Sequence, residues 1–150
     1  MDNESKRNNG ILDRANAAIL SRDFEQAARI YKGLLKSDPQ NIELLSSLGN
    51  LYVKSGDDEK ALAYFSEIIR IDPKNVEALN SLGGIYRRLK KYDDSISVLE
   101  QAVISDESNV QSFYNLGFTF KLMGKYDDAL NCFNRVVEEN PEDVLAFNHI

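Results

Sequence analysis

The sequence predicts an all-α fold built from repeated pairs of antiparallel helices. A leucine and a glycine, followed three residues later by an aromatic residue, recur at an interval of 34 residues. Between recurrences the apolar residues follow the 3.6-residue period of an amphipathic helix. Residues that commonly start and stop helices recur at the same interval. Because this interval accommodates one helical hairpin, the chain is predicted to be an array of hairpins.

The 34-residue interval holds at several positions. The matched sets are Leu48, Leu82 and Leu116; Gly49, Gly83 and Gly117; Tyr52, Tyr86 and Phe120; Ala61, Ser95 and Ala129; Phe65, Leu99 and Phe133; Asn41, Asn75, Asn109 and Asp143; and, at one and then two intervals, Pro39, Pro73 and Pro141. A glycine inside a helix costs ~1 kcal/mol relative to alanine. Its recurrence indicates a packing constraint, so we expect all three glycines to be buried against a second helix.

The second repeat shows how the sequence defines each helix. Its first helix begins after Asn41, since an asparagine side chain caps helix N-termini well. It ends near Gly56, which suits a left-handed C-cap, and Gly124 has the same place in the fourth repeat. The second helix opens with acidic residues that favour the helix dipole. It ends before Asp72, because Pro73 disfavours a helical conformation in the residue before it.

The pattern Leu-Gly-x-x-Tyr, Ala-x-x-x-Phe and Pro at this spacing resembles the tetratricopeptide repeat. The resemblance implies a right-handed superhelical solenoid of helix pairs. We predict repeats at 8–41, 42–75, 76–109 and 110–143, with 144–150 opening a fifth. Residues 1–7 are expected to be a disordered tail, and 8–150 a single domain. Since the fifth repeat stops early, the sequence predicts a truncated chain or the N-terminal part of a longer array.

Composition disfavours several classes of function. The 150-residue chain has a net charge of −6 and a pI of about 4.8, which disfavours binding to nucleic acid or to an anionic membrane. The polar N-terminus has no signal-peptide core, and no apolar run approaches the length of a transmembrane helix. The expected location is the cytoplasm.

The sequence predicts no catalytic, metal or cofactor site. Cys132 and His149 are the only cysteine and histidine, so there is no metal-binding cluster of these residues. The paired glycines at 83–84 lack the lysine of a phosphate-binding loop. The acidic pairs at 93–94 and 127–128 fall at helix starts, where solvation and the dipole explain them.

The resemblance implies a scaffold that binds a protein or peptide on a concave face, formed by positions 2, 5, 6, 9, 12 and 13 of each repeat. Four asparagines occupy such positions: Asn16, Asn50, Asn80 and Asn115. A side-chain amide both donates and accepts hydrogen bonds, so a row of amides can hold an extended peptide backbone. The alternative is a solvated polar wall.

Basic and aromatic residues form the second candidate set. The basic members lie late in first helices and the aromatic members lie in the fourth repeat: Lys54, Arg87, Arg88 and Lys121, with Tyr114 and Phe118. Arginine favours carboxylates through bidentate hydrogen bonds, which predicts an acidic peptide or a chain terminus as ligand. The alternative is that cations simply suit helix C-termini.

The residues disfavour one known ligand mode of the family, the clamp for the C-terminal carboxylate of heat-shock chaperones. This clamp needs Lys and Asn at positions 5 and 9, Asn at position 6 of the next repeat, and Lys and Arg at positions 2 and 6 of the third. One frame supplies Leu12, Asn16, Ser47, Glu77 and Ser81, and the next supplies Ser46, Asn50, Ser81, Gln111 and Asn115. Neither frame fits.

Three other functions stay open at this point. The chain is alternatively a regulatory or substrate-selecting segment of a larger enzyme that extends beyond residue 150. RNA binding by related helical repeats is disfavoured by the acidic pI and the Leu-Gly-x-x-Tyr motif. Apolar residues in 11–20 and at Val144, Leu145, Phe147 and Ile150 make a homodimer through the terminal helices a further alternative.

Overall fold

The computed structural model describes residues 3–142, and these form eight α-helices. The chain divides into two compact units, the N-terminal half (residues 1–71) and the C-terminal half (residues 72–150). The N-terminal half contains α1 (Asn3–Leu20), α2 (Phe24–Leu35), α3 (Ile42–Ser55) and α4 (Asp58–Ile71). The C-terminal half contains α5 (Val76–Arg88), α6 (Tyr92–Ser105), α7 (Val110–Leu122) and α8 (Tyr126–Glu139). Each predicted repeat is thus one helix pair, which confirms the all-α helical repeat fold.

The structure differs from the sequence expectation at the N-terminus. Helix α1 begins at Asn3 and so includes residues 3–7, which were expected to form a disordered tail. No proline or glycine occurs in residues 3–9, so nothing in this polar stretch breaks a helix. The predicted start of a fifth repeat, 144–150, lies outside the described residues, and so do Asp143 and His149.

The helix caps recur with the sequence period. The side-chain Oδ1 atoms of Asn41, Asn75 and Asn109 each accept a hydrogen bond from the backbone N–H three residues later, at 3.0, 3.0 and 2.9 Å. Each bond satisfies one of the orphan donors at a helix N-terminus. The predicted cap at Asn41 is confirmed, and the same device begins α3, α5 and α7.

The turns between paired helices share one left-handed backbone position. Gly56, the predicted left-handed C-cap of α3, has a φ of 83°, and Gly124, one residue after the C-cap Met123 of α7, has a φ of 74°. Arg22 and Lys90 occupy the same register in the first and third repeats, and each has a φ of 59°. The left-handed conformation is unfavourable for a residue with a Cβ. The geometry of the repeat therefore imposes this conformation even where the sequence lacks glycine.

The recurring helix glycines lie where paired helices touch, and all three are buried. A Cβ at Gly49 would lie 2.7 Å from Cε2 of Phe65, and a Cβ at Gly83 would overlap Leu99. A Cβ at Gly117 would lie 2.9 Å from Cβ of Cys132 and 3.2 Å from a backbone oxygen of α8. The predicted contact with a second helix is therefore confirmed.

Each half has its own apolar core. In the N-terminal half, Leu48 and Phe65 are completely buried between α3 and α4. In the C-terminal half, Leu99, Leu116 and Cys132 bring together α6, α7 and α8. Across residues 3–142, no helix combines the length and the apolar character needed to cross a bilayer.

Replacement of Gly117 by alanine tests the close approach of the helices. Gly117→Ala should lower the free energy of unfolding by about 1–2 kcal/mol, because the new methyl overlaps atoms that move only with the backbone of α8. Gly84→Ala is the matched control, since no atom other than those of its chain neighbours and of the local helix backbone lies within 4 Å of its added Cβ. This control should gain up to about 1 kcal/mol of helix propensity. Urea unfolding measures both, and equal effects of the two changes would contradict the packing account.

The left-handed position at Lys90 gives a second prediction. Lys90→Gly should raise the free energy of unfolding by about 0.5 kcal/mol, since the relief of left-handed strain exceeds the entropy cost of glycine. Lys91→Gly, one residue later at a φ of −88°, should lower it instead. If thermal unfolding shows that both glycine variants are less stable than the wild type, left-handed strain at Lys90 is contradicted.

Candidate functional site

Hydrogen bonds between side chains join α5 to α7 in the C-terminal half. Asn80 bonds to Ser112 and to Asn115, while Arg87, further along α5, bonds to Asn115 and to Thr119, further along α7. Since the residue numbers rise together, the two helices run in the same direction. We call the surface that carries Asn80, Arg87, Gln111, Asn115 and Phe118 the α5–α7 face.

Four side-chain hydrogen bonds form a series along the first part of the α5–α7 face, in which each accepting residue donates the next bond. Gln111 Nε2 donates to Asn115 Oδ1 (3.1 Å), and Asn115 Nδ2 donates to Asn80 Oδ1 (3.2 Å). Asn80 Nδ2 donates to Ser112 Oγ (2.8 Å), which donates to Oδ1 of the α7 cap, Asn109 (2.9 Å). Asn80 and Asn115, the two bridging asparagines, each use one N–H and one acceptor lone pair in this series. A side-chain amide has two of each, so each asparagine has capacity for a further bond.

An open cavity of about 440 Å³ lies beside this amide chain. Its walls are Val76, Glu77, Asn80, Ser81, Asn109, Gln111 and Asn115. Both bridging asparagines therefore line an accessible surface, where an amide can bond to a ligand while its neighbours hold its orientation.

Arg87 lies at the other end of the α5–α7 face and is half-buried. Its Nη1 donates to the Asn115 carbonyl at 3.3 Å and to Thr119 Oγ1 at 3.5 Å. Its guanidinium carbon lies 5.0 Å from the centre of the Phe118 ring, a distance typical of a cation–π contact. Burial lowers the pKa of Arg87 below its ordinary value, and the positive charge of Arg88 lowers it further.

Ser95 and Thr119 form a buried polar cluster that contacts Arg87 through Thr119. Ser95 Oγ donates to the Gly83 carbonyl (2.8 Å) and lies 3.3 Å from Thr119 Oγ1. Since Ser95 uses its one proton on Gly83, Thr119 Oγ1 donates its own proton either to Ser95 Oγ or to the Asn115 carbonyl, 2.9 Å away. Both hydroxyl residues are completely buried. Because a buried hydroxyl without a partner is costly, these bonds hold α5, α6 and α7 in one arrangement.

Our sequence reasoning missed this cluster and Ser112, although the repeat register carried a signal. Polar residues stand at positions that are apolar in other repeats: Ser95 aligns with Ala61 and Ala129, Ser112 with Leu44 and Ala78, and Thr119 with Leu51 and Ile85. A polar residue at a core position needs a buried partner, which indicates a hydrogen-bonded network in the third and fourth repeats.

The other candidate residues of the C-terminal half have separate surroundings. The Tyr114 ring packs against Phe133 of α8, with ring centres 6.0 Å apart and planes at 57°. Arg88 is exposed in the last turn of α5, and Lys121 is half-buried in the last turn of α7. The Phe118 ring lies beside Arg87, and Tyr114 interacts electrostatically with the same guanidinium; ligand contact by these two rings stays a prediction.

Three of the predicted residues belong to the N-terminal half. Asn16 lies on α1 and Asn50 and Lys54 lie on α3, and all three are exposed. Asn16 borders a cavity of about 550 Å³ between α1, α2 and α3. The other lining residues of this cavity are Asn8, Leu12, Tyr31, Leu34, Ser37, Asp38, Asn41, Glu43, Leu44 and Ser47.

The cysteine and the acidic pairs, which are the residue types most often used in catalysis or metal binding, lie in positions that a structural role explains. Cys132 is buried, and burial raises the pKa of its thiol to about 11, so the thiol stays protonated near neutral pH. The acidic pairs at 93–94 and 127–128 lie in the first turns of α6 and α8. In the part of the chain that the structure describes, no three His, Cys, Asp or Glu residues come together as metal ligands.

Three models of the tetratricopeptide repeat match the sequence, at residues 18–85, 78–111 and 110–143. No curated protein matches it.

Several solved structures are similar to this one. MamA is 26% identical over 91% of this chain and 80% of its own, with a TM-score of 0.82. The first TPR of Spaghetti (RPAP3), bound to the HSP90 peptide SRMEEVD, is 27% identical over 74% of this chain and 88% of its own, with a TM-score of 0.70. YrrB, a TPR protein with an unusual peptide-binding site, is 20% identical over 96% of this chain and 74% of its own, with a TM-score of 0.79, and it shares the fold.

The buried hydroxyl of Thr119 can be tested by an isosteric change. Thr119→Val should lower the free energy of unfolding by about 1–2 kcal/mol, because Arg87 and Ser95 lose a buried partner. If this position needed only apolar volume, as Ile85 and Leu51 suggest, valine would be neutral or stabilising. Urea unfolding of Thr119→Val, Ser95→Ala and the double variant also gives their coupling, and strictly additive effects would contradict a shared network.

Proposed function

Because the chain belongs to the tetratricopeptide repeat family, we propose that it is a protein-interaction scaffold whose α5–α7 face binds an extended segment of a partner protein. The similar structure of the first TPR of Spaghetti holds a peptide, and YrrB is a TPR protein with a peptide-binding site. These neighbours support a peptide or protein ligand for this chain, and the proposed place of binding rests on the chain's own residues.

The observation that carries the proposal is the amide chain beside an open cavity. An extended backbone presents N–H and C=O groups in alternation, and the amides of Asn80 and Asn115 offer both kinds of partner. Hydrogen bonds to neighbours already fix the two side chains, so that binding costs less side-chain entropy. Contacts of this kind grip the backbone and are tolerant of the ligand sequence.

A purely structural role for these asparagines makes a different prediction. If they only fasten α5 to α7, their replacement lowers stability and leaves ligand affinity unchanged in the folded fraction. If they also bind the partner, affinity falls by more than the folded fraction does. Binding and unfolding must therefore be measured on the same variants.

Random peptides displayed on phage and selected on the full chain supply the probe. The selected peptides should bind Asn80→Ala about tenfold more weakly than the wild type, since one charge-free hydrogen-bonding group is lost in a partly desolvated site. Asn134→Ala is the matched control, because Asn134 is exposed on α8, and its affinity should be unchanged. Isothermal titration calorimetry measures both.

A change in the ligand provides a test that does not depend on any variant. N-methylation of single peptide bonds in a selected peptide should abolish binding at the bonds that contact the amides and have little effect elsewhere. Selection of no peptide, or full affinity in Asn80→Ala, would contradict binding at this face.

A further inference from the structure

We propose that Arg87 recognises a carboxylate of the bound segment, because the partners that hold its guanidinium at the α5–α7 face, among residues 3–142, are all uncharged. This inference rests on the proposed function and adds the chemical class of the ligand. The carboxylate belongs to an aspartate or glutamate side chain or to a chain terminus, and the two sources share the same recognition chemistry.

The contacts of Arg87 fix the orientation of its guanidinium. Both hydrogen bonds to α7 leave from Nη1, toward the Asn115 carbonyl and Thr119 Oγ1. The Phe118 ring lies against the same group at 5.0 Å. With one corner held, the edge formed by Nη2 and Nε is the edge that matches a carboxylate in the bidentate geometry.

The charge around Arg87 favours an incoming anion. The partners that the described structure gives this half-buried cation are a carbonyl, a hydroxyl and an aromatic ring, and none of these carries a negative charge. A partly desolvated charge gains more from a counter-ion than a fully solvated one does. A ligand carboxylate would supply that counter-ion.

A helix-dipole role for Arg87 is the competing account, since cations are favourable in a last helical turn. The dipole explains a positive charge at this position. It does not require the planar group that bridges to α7 and stacks on Phe118, and Arg88 in the same turn already supplies a cation. The dipole account predicts no preference of the protein for acidic over neutral ligands.

The position of Arg87 relative to the amides defines the spacing in the ligand. Asn80 and Arg87 are seven residues apart along α5, which corresponds to a rise of about 10 Å. An extended peptide covers this length in about three residues. Selected peptides should therefore carry an acidic group about three residues from the bond that is most sensitive to N-methylation.

Three small probes test the charge preference on the wild-type chain. N-acetylglutamate amide carries a side-chain carboxylate, N-acetylglutamine carries a terminal one, and N-acetylglutamine amide carries neither. In ¹H–¹⁵N NMR titrations, at least one of the carboxylate probes should move the Arg87 Nε–H signal at about tenfold lower concentration than the neutral amide. The stronger of the two identifies the source of the carboxylate. Equal responses to all three probes would overturn the proposal without any variant.

Arg87→Met then tests the residue itself. Methionine keeps much of the apolar stem and removes the charge, so the preference for the carboxylate probes, followed in wild type and variants at the backbone N–H signals of Asn115 and Phe118, should disappear. Arg135→Met is the matched control, because Arg135 on α8 is ion-paired with Glu138 at 3.0 Å, and its preference should be unchanged. If Arg87→Met unfolds, Arg87→Lys replaces it. Lysine keeps the positive charge, but this variant should lose most of the preference because lysine lacks the planar fork that binds a carboxylate through two hydrogen bonds.

The two proposals fail in different ways. Peptides that bind at the α5–α7 face with no acidic preference, and with full affinity in Arg87→Met, overturn carboxylate recognition and leave the scaffold proposal standing. Selection of no peptide, together with a carboxylate response at Arg87, overturns the peptide site and leaves an anion site.

Discussion

The close contact between the two helices of a pair is the constraint on which the structure depends. At Gly49, Gly83 and Gly117 the partner helix occupies the space that a Cβ would fill. A mid-helix glycine weakens an isolated helix, so this arrangement is stable only because the pair packs. The same approach brings the Gly83 carbonyl within reach of Ser95, so the glycine contact and the polar cluster are parts of one interface.

The repeats share a backbone and differ in what their cores contain. The third and fourth repeats place Ser95, Ser112 and Thr119 at positions that are apolar elsewhere in the array. Among the described residues, no buried side-chain nitrogen or oxygen lacks a hydrogen-bonding partner. A satisfied polar network specifies one packing arrangement, whereas a partly satisfied one is costly. The cost of burying these hydroxyls is therefore offset only while α5, α6 and α7 keep their positions.

The same residues serve the fold and the proposed site. Asn115 is the clearest example, since its side chain bonds to Asn80 and its carbonyl accepts from Arg87. A ligand at the α5–α7 face would meet groups that α5 and α7 already hold in place. Such preorganisation favours affinity because little side-chain freedom remains to be lost. It also means that changes at this face affect stability and binding together, and only a comparison of both separates the roles.

The sequence by itself determined the helix pairs, their caps at Asn41 and Gly56, and the buried glycines. These features depend on residues that are close in the chain or that recur at a constant interval, so they can be recognised in the amino-acid sequence. The tertiary structure alone decided which predicted residues meet. Asn80 and Arg87 find their partners 28 to 35 residues away, and Tyr114 turns to Phe133 of the next helix. The left-handed turns at Arg22 and Lys90 also became visible only in the structure. Periodicity places a residue on a helix face, but the spacing and direction of neighbouring helices decide what that residue touches.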